Sequence, residues 1–176
     1  MLLTNHVLSG ALIGALVRRP LTAFTVGVAS HFVLDAVPHW GEWGGRRQFL
    51  RVAVPDGLVS LAAMGAFAAV SPPGRRMAVL AGMAGAALPD IDKPAMLWFG
   101  RSPWPPAVNK FHSVIQHEAA GRGPMEFLAA CAFAAAALTA LRHPSATRSA
   151  AARAPQLVAS SWEDERWGGA SPCRVR

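Results

Sequence analysis

Five apolar stretches interrupted by short polar links dominate this chain: Leu2 to Val17, Leu21 to Val37, Val52 to Val70, Met77 to Ile91 and Met125 to Leu141. Each reads as a helix, and prolines fall at their edges (Pro20, Pro38, Pro55, Pro72, Pro73, Pro89, Pro94), where proline starts or ends a helix without breaking one. A full membrane span needs about 20 residues, so these are short spans. The run from Phe127 to Leu141 carries no charge and no polar group beyond Thr139, and it is the cleanest of the five. The third and fourth runs are rich in Ala and Gly, the small residues that let helices approach closely in lipid. A soluble bundle would instead need polar faces at helical period, and these runs hardly show them. The first run has no basic segment before it and Arg18-Arg19 after it, the reverse of a secretory signal, so it is read as the first helix.

Composition agrees with that reading. Only 15% of the 176 residues are charged against 52% apolar, below the charge of ordinary soluble domains. The net charge of +7 comes from scattered pairs (Arg18 and Arg19, Arg46 and Arg47, Arg75 and Arg76) between apolar runs. Such pairs suit membrane-flanking loops, and no nucleic-acid partner is expected. Cys131 lies inside an apolar run and Cys173 near the end of the chain, so neither a disulfide framework nor a cysteine zinc site is indicated. From Gly100 to Gly123 the sequence reads as a loop with a short helix at Asn109 to His117. After Leu141 Ser, Ala, Arg and Pro take over, followed by acidic Glu163-Asp164-Glu165. The expected fold is all-α: an integral membrane bundle of about five helices over 1–142, with a disordered tail over 143–176.

Helix parity organises the polar residues. If the runs alternate direction, one side of the membrane collects His6, then His31, Asp35 and His39, then Asp56, then Asp90 and Asp92, then His112 and His117. Only His143 falls on the other side. Ionisable groups at membrane depth are costly enough to be functional by default. His31 and Asp35 are four apart and share one helical face, so one cation can take both; a His–Asp hydrogen bond closing the helix is the structural alternative. Pro38 ends the helix before His39, which is left close enough to ligate or to support a ligand. Leu88-Pro89-Asp90-Ile91-Asp92-Lys93-Pro94 reads as extended between prolines, which points both carboxylates the same way. Either a cation sits between them, or Lys93 and solvent do. Asp56 after Pro55 is a ligand or acid–base candidate, or an acidic residue meeting a helix dipole. His112 and His117 are five apart and point to different faces, and His112, next to Ser113 and one turn from Gln116, is the preferred ligand.

These pieces resemble the bacterial membrane-bound, metal-dependent hydrolases typified by the YdjM-like proteins. The matching elements are His6, Ser30-His31-x3-Asp35, Leu88-Pro89-Asp90-Ile91-Asp92 and Phe111-His112-Ser113, spread over roughly residues 1 to 120, with the Ser-His-x3-Asp element here preceding Pro-Asp-Ile-Asp. A more distant likeness is to the zinc-dependent phospholipase C and P1 nuclease group, which also use His-x3-Asp on helices. The resemblance implies a hydrolase in the bacterial cytoplasmic membrane acting on a phosphoester, either a lipid or a lipid-linked head group. His6, His31, Asp35, Asp90, Asp92 and His112 would be metal ligands, with Asp56 and His39 as acid–base groups. Lys93, Lys110 or Arg46 would hold the phosphate. A mixed His and Asp shell suits Zn²⁺ or Mn²⁺. The competing expectation is a membrane protein in which the same residues hold a structural metal.

Overall fold

The computed structural model describes residues 1–41 and 44–143; apart from His143, the tail expected to be disordered lies outside the described residues. Helix α1 (Leu3–Val17) stops where Arg18 turns left-handed at φ 62°, and α2 (Pro20–Ala36) restarts at once because Pro20 takes its first position. Val37 before Pro38 is extended, as a residue preceding proline tends to be. The chain then continues as a two-residue strand, β1 (His39–Trp40).

Three further α-helices lead to the polar loops. Helix α3 spans Arg46–Val70 and α4 spans Pro73–Ala87. A single 3-10 turn, Leu88–Ile91, joins α4 to α5 (Asp92–Phe99). Next come α6 (Pro106–Ile115), a second short strand β2 (Glu118–Ala119), and α7 (Gly123–Arg142). The all-α expectation holds, and the five runs become α1 to α4 and α7.

Three features differ from the sequence reading or go beyond it. Helix α3 begins six residues before Val52, with Pro55 inside it, because Gly45 at φ 136° turns the chain and its carbonyl accepts from the amides of Gln48 and Phe49. Leu88 to Pro94 is helical, not extended. Pro89 sits in the first turn of the 3-10 segment and Pro94 in the first turn of α5, positions whose amide needs no intrahelical partner. Finally, β1 and β2 pair in parallel, His39 opposite Glu118 and Trp40 opposite Ala119, which no periodicity in the sequence indicated.

Helix α4 packs against both α1 and α2, and glycine sets how closely. A methyl group at Gly82 would overlap the Gly10 carbonyl of α1, one at Gly27 of α2 would overlap the Gly82 carbonyl, and one at Gly85 would overlap the Phe24 carbonyl. Val7, Leu8, Ala11 and Ala15 of α1 fill the core with Val79 and Met83 of α4, Phe67 of α3, and Ala137 and Leu141 of α7. Two helices, Arg46–Val70 and Gly123–Arg142, are long and apolar enough to cross a membrane.

Polar contacts lock the start of α1. Asp56 of α3 accepts the amides of Leu3 at 2.7 Å and Thr4 at 3.3 Å, along with the Thr4 hydroxyl, so its carboxylate caps the N-terminus of α1. Glu126 at the start of α7 is buried, and accepts from the Leu2 amide at 3.1 Å, the Asn5 side-chain amide at 2.6 Å and the Trp40 amide at 3.1 Å.

Replacing Gly82 with Leu forces α1 and α4 apart, and overpacking of this kind costs about 3 kcal/mol. The detergent-purified variant is expected to unfold at a clearly lower temperature than the parent; an unchanged melting profile would contradict the close α1–α4 packing.

Candidate metal centre

The polar ends of α1, α2, α4 and α6 meet around Asp35, in the last turn of α2 and 1% exposed. Its Oδ2 lies 3.1 Å from His31 Nε2, 3.0 Å from His112 Nε2 and 3.4 Å from the Gln116 amide nitrogen. Its Oδ1 lies 3.2 Å from His6 Nε2 and 3.1 Å from the Met1 amine. His31 and Asp35 share one helical face, as their spacing requires, while α1 and α6 supply the other two imidazoles.

The tautomer of His31 follows from its surroundings. Its Nδ1 is 2.8 Å from the Ala86 carbonyl at the end of α4, and a carbonyl can only accept, so Nδ1 carries the hydrogen. In the neutral ring Nε2 is then a bare lone pair. It faces the Asp35 carboxylate, and His112 Nε2 at 3.1 Å, which is itself 3.2 Å from the Gln116 amide. Backed by a carbonyl at Nδ1, His31 presents a bare Nε2 to Asp35 and to His112 Nε2, whose donor or acceptor role depends on its tautomer; backing of one ring nitrogen in this way is common in metal-binding histidines.

His6 is more unusual. It is 0% exposed and stacked on His31, ring centroids 3.9 Å apart. Its Nδ1 has no hydrogen-bond partner, and its Nε2 has only the Asp35 Oδ1 contact at 3.2 Å, an ion-pair distance that falls short of a well-formed hydrogen bond. A buried unbonded polar group costs about 1–3 kcal/mol, so a fully buried ring without a well-formed hydrogen bond calls for a partner.

On the third side stand the aspartates of the 3-10 turn and α5. Asp90 Oδ1 is 3.8 Å from both His31 Nε2 and His112 Nε2, and accepts from Lys93 Nζ at 2.9 Å. Asp92 Oδ1 is buried without a hydrogen-bond partner, with Lys93 Nζ 3.8 Å away. Burial pushes the Asp90 carboxyl up, but the Lys93 ammonium and then His6 and His31 outweigh it and hold it below the usual carboxylate range. Burial likewise lowers Lys93, and the two neighbouring carboxylates more than offset this, so its pKa is raised.

Among the described residues, three sets of side chains bring a ligand atom each to within 4.8 Å of one another: His6, His31 and Asp90; His31, Asp35 and His112; Asp90, Asp92 and His112. The structure thus brings together all six residues expected as metal ligands. The two expected acid–base residues stand elsewhere. Asp56 caps α1, so the helix dipole it meets belongs to α1 and not to its own helix. His39 is buried with Nδ1 donating to the Val37 carbonyl at 2.8 Å, and its amide donates to the His117 carbonyl at 3.0 Å. His117 itself is exposed.

Glu126 and Asn5 were not singled out from sequence. The available signal is a lone acidic residue at the head of the last, uncharged apolar run, on the side where parity gathers the other polar groups. Comparison with family models, curated proteins and solved structures finds no match to this chain.

Beside the cluster a cleft of about 380 Å³ opens between α3, α5 and α6. Asp92, Lys93, Asn109, His112, Ser113 and Gln116 line it, and Phe49 and Met96 give it an apolar wall.

An ion that binds only the folded chain raises its melting temperature. Zn²⁺ or Mn²⁺ is expected to stabilise the wild type in a thermal-shift titration, and Asp35→Asn is expected to raise the metal concentration needed for the same stabilisation by about tenfold or more. Equal stabilisation of both proteins would place the ion away from Asp35.

Proposed function

We propose that this chain is an integral membrane protein whose His/Asp centre binds Zn²⁺ or Mn²⁺ and hydrolyses a phosphoester at the membrane surface. The observation that carries the metal is the convergence of three imidazole Nε2 atoms on the acceptor-only carboxylate of Asp35, with the His31 proton committed elsewhere. A donor set of imidazole and carboxylate suits these two ions.

Burial supports the membrane. A core helix of a soluble protein would be largely covered, yet only 11% of the apolar window of α3 and 17% of that of α7 is buried. Leu58, Leu61, Phe127 and Leu128 are each 60% exposed or more. Apolar surface on this scale is stable against lipid and costly against water.

The cleft favours catalysis over a purely structural metal. Structural sites are closed by protein ligands, whereas catalytic ones keep an open position. Here His112 and Asp92 belong both to the cluster and to the cleft wall. When bound, a divalent ion supplies Lewis-acid polarisation of a phosphoryl oxygen and a more acidic water. The chain's own groups do the rest. Lys93 offers a cation to an anionic phosphoryl group, Asn109, Ser113 and Gln116 offer hydrogen bonds, and Phe49 and Met96 offer an apolar wall for the neighbouring part of a lipid-like substrate. Lys93 is the best placed of the three expected phosphate holders, because it lines the cleft. The resemblance to YdjM-like membrane hydrolases points the same way.

The protein is expected to stay in the membrane pellet through alkaline carbonate washing. In detergent with Mn²⁺ or Zn²⁺ it is expected to release phosphate from at least one of phosphatidic acid, an isoprenoid diphosphate and a soluble aryl phosphate. Asp35→Asn should lower that rate by about a hundredfold or more, in line with loss of a metal ligand. Extraction by carbonate would remove the membrane assignment, and full activity in Asp35→Asn would remove the catalytic one.

A further inference from the structure

The three candidate ligand sets are not independent, and their overlap decides how many ions the centre takes. An imidazole nitrogen has one lone pair and serves one ion, whereas a carboxylate has two oxygens and can bridge a pair. The set His31, Asp35, His112 shares His31 with the first set and His112 with the third, so an ion held there uses up both histidines. The sets His6, His31, Asp90 and Asp90, Asp92, His112 share only Asp90. The choice is therefore one central ion or two flanking ions.

We propose that the centre is binuclear: an inner ion held by His6 and His31, and an outer ion held by Asp92 and His112, with Asp90 bridging them. This rests on the metal-centre reading above and deepens it. Two side chains decide between the alternatives. A single central ion leaves His6 at 0% exposure with no contact at Nδ1 and only Asp35 Oδ1 near Nε2, and leaves Asp92 Oδ1 buried without a hydrogen-bond partner. The two-ion arrangement gives one nitrogen of His6, and the Asp92 carboxylate, an ion to bind.

Asp35 fits the same scheme. Its Oδ2 lies between His31 Nε2 at 3.1 Å and His112 Nε2 at 3.0 Å, the two histidines assigned to different ions, so its carboxylate can span the pair as Asp90 does. The inner ion is sealed among α1, α2 and α4, and the outer one borders the cleft, where Asp92 and His112 meet substrate-sized space.

The test is to strip the full chain of metal in detergent, reload it with Mn²⁺, and read stoichiometry by mass spectrometry and spin coupling by electron paramagnetic resonance. The wild type is expected to take two ions per chain with an exchange-coupled spectrum, and Asp92→Asn and His6→Gln one each with the spectrum of an isolated ion. A wild type that saturates at one uncoupled ion overturns the binuclear centre and leaves the metal-centre reading standing. A wild type that binds no ion overturns both. The wild-type spectrum decides between these outcomes even if a variant fails to fold.

Discussion

The Asp35 carboxylate, buried and facing three imidazoles at 3.0 to 3.2 Å, is the interaction on which the polar end of this bundle depends. Taking a carboxylate out of water costs several kcal/mol unless partners repay it. Of those partners, His31 has its hydrogen directed at the Ala86 carbonyl, and His6 is not aligned to donate. The Met1 amine, His112 and the Gln116 amide supply the remaining partners of the carboxylate, and His31, Asp35 and His112 stand close enough to share a cation. These contacts join α1, α2, the turn after α4, and α6 into one site, although His6 and His112 lie 106 positions apart in sequence.

The apolar part of the fold delivers those groups to one place. Glycine at Gly10, Gly27 and Gly82 lets α4 approach α1 and α2 until backbones nearly touch, so the last turn of α4 ends against His31. The Ala86 carbonyl is available to His31 because the α-helix gives way to a 3-10 turn there, freeing a terminal acceptor. Asp56 and Glu126 then fix the start of α1, and with it His6, by accepting the amides that the first helical turn leaves unpaired. Carboxylates that cap α1 and carboxylates that could hold a cation thus occupy the same end of the bundle.

Much of this was legible in the sequence, for physical reasons. The i, i+4 spacing of His31 and Asp35 needs only helix geometry to place both on one face, and parity of apolar runs needs only alternation to bring His6, Asp90, Asp92 and His112 alongside. The turn at Leu88 to Pro94 was misread because proline is compatible both with extended chain and with the first turn of a helix, and sequence alone does not choose. Asp56 and His39 have the same chemistry as ligands. Only tertiary contacts show that one caps a neighbouring helix and the other donates to its own backbone. Glu126 and the β1–β2 pairing depend on long-range contacts that leave no periodic trace.

The most direct measurement of the central claim is X-ray absorption at the zinc edge of the zinc-loaded protein in detergent. The account requires a first shell of nitrogen and oxygen at about 2.0–2.2 Å, with the outer-shell scattering of imidazole. A shell containing sulfur, or the spectrum of a hydrated ion without imidazole, would contradict it.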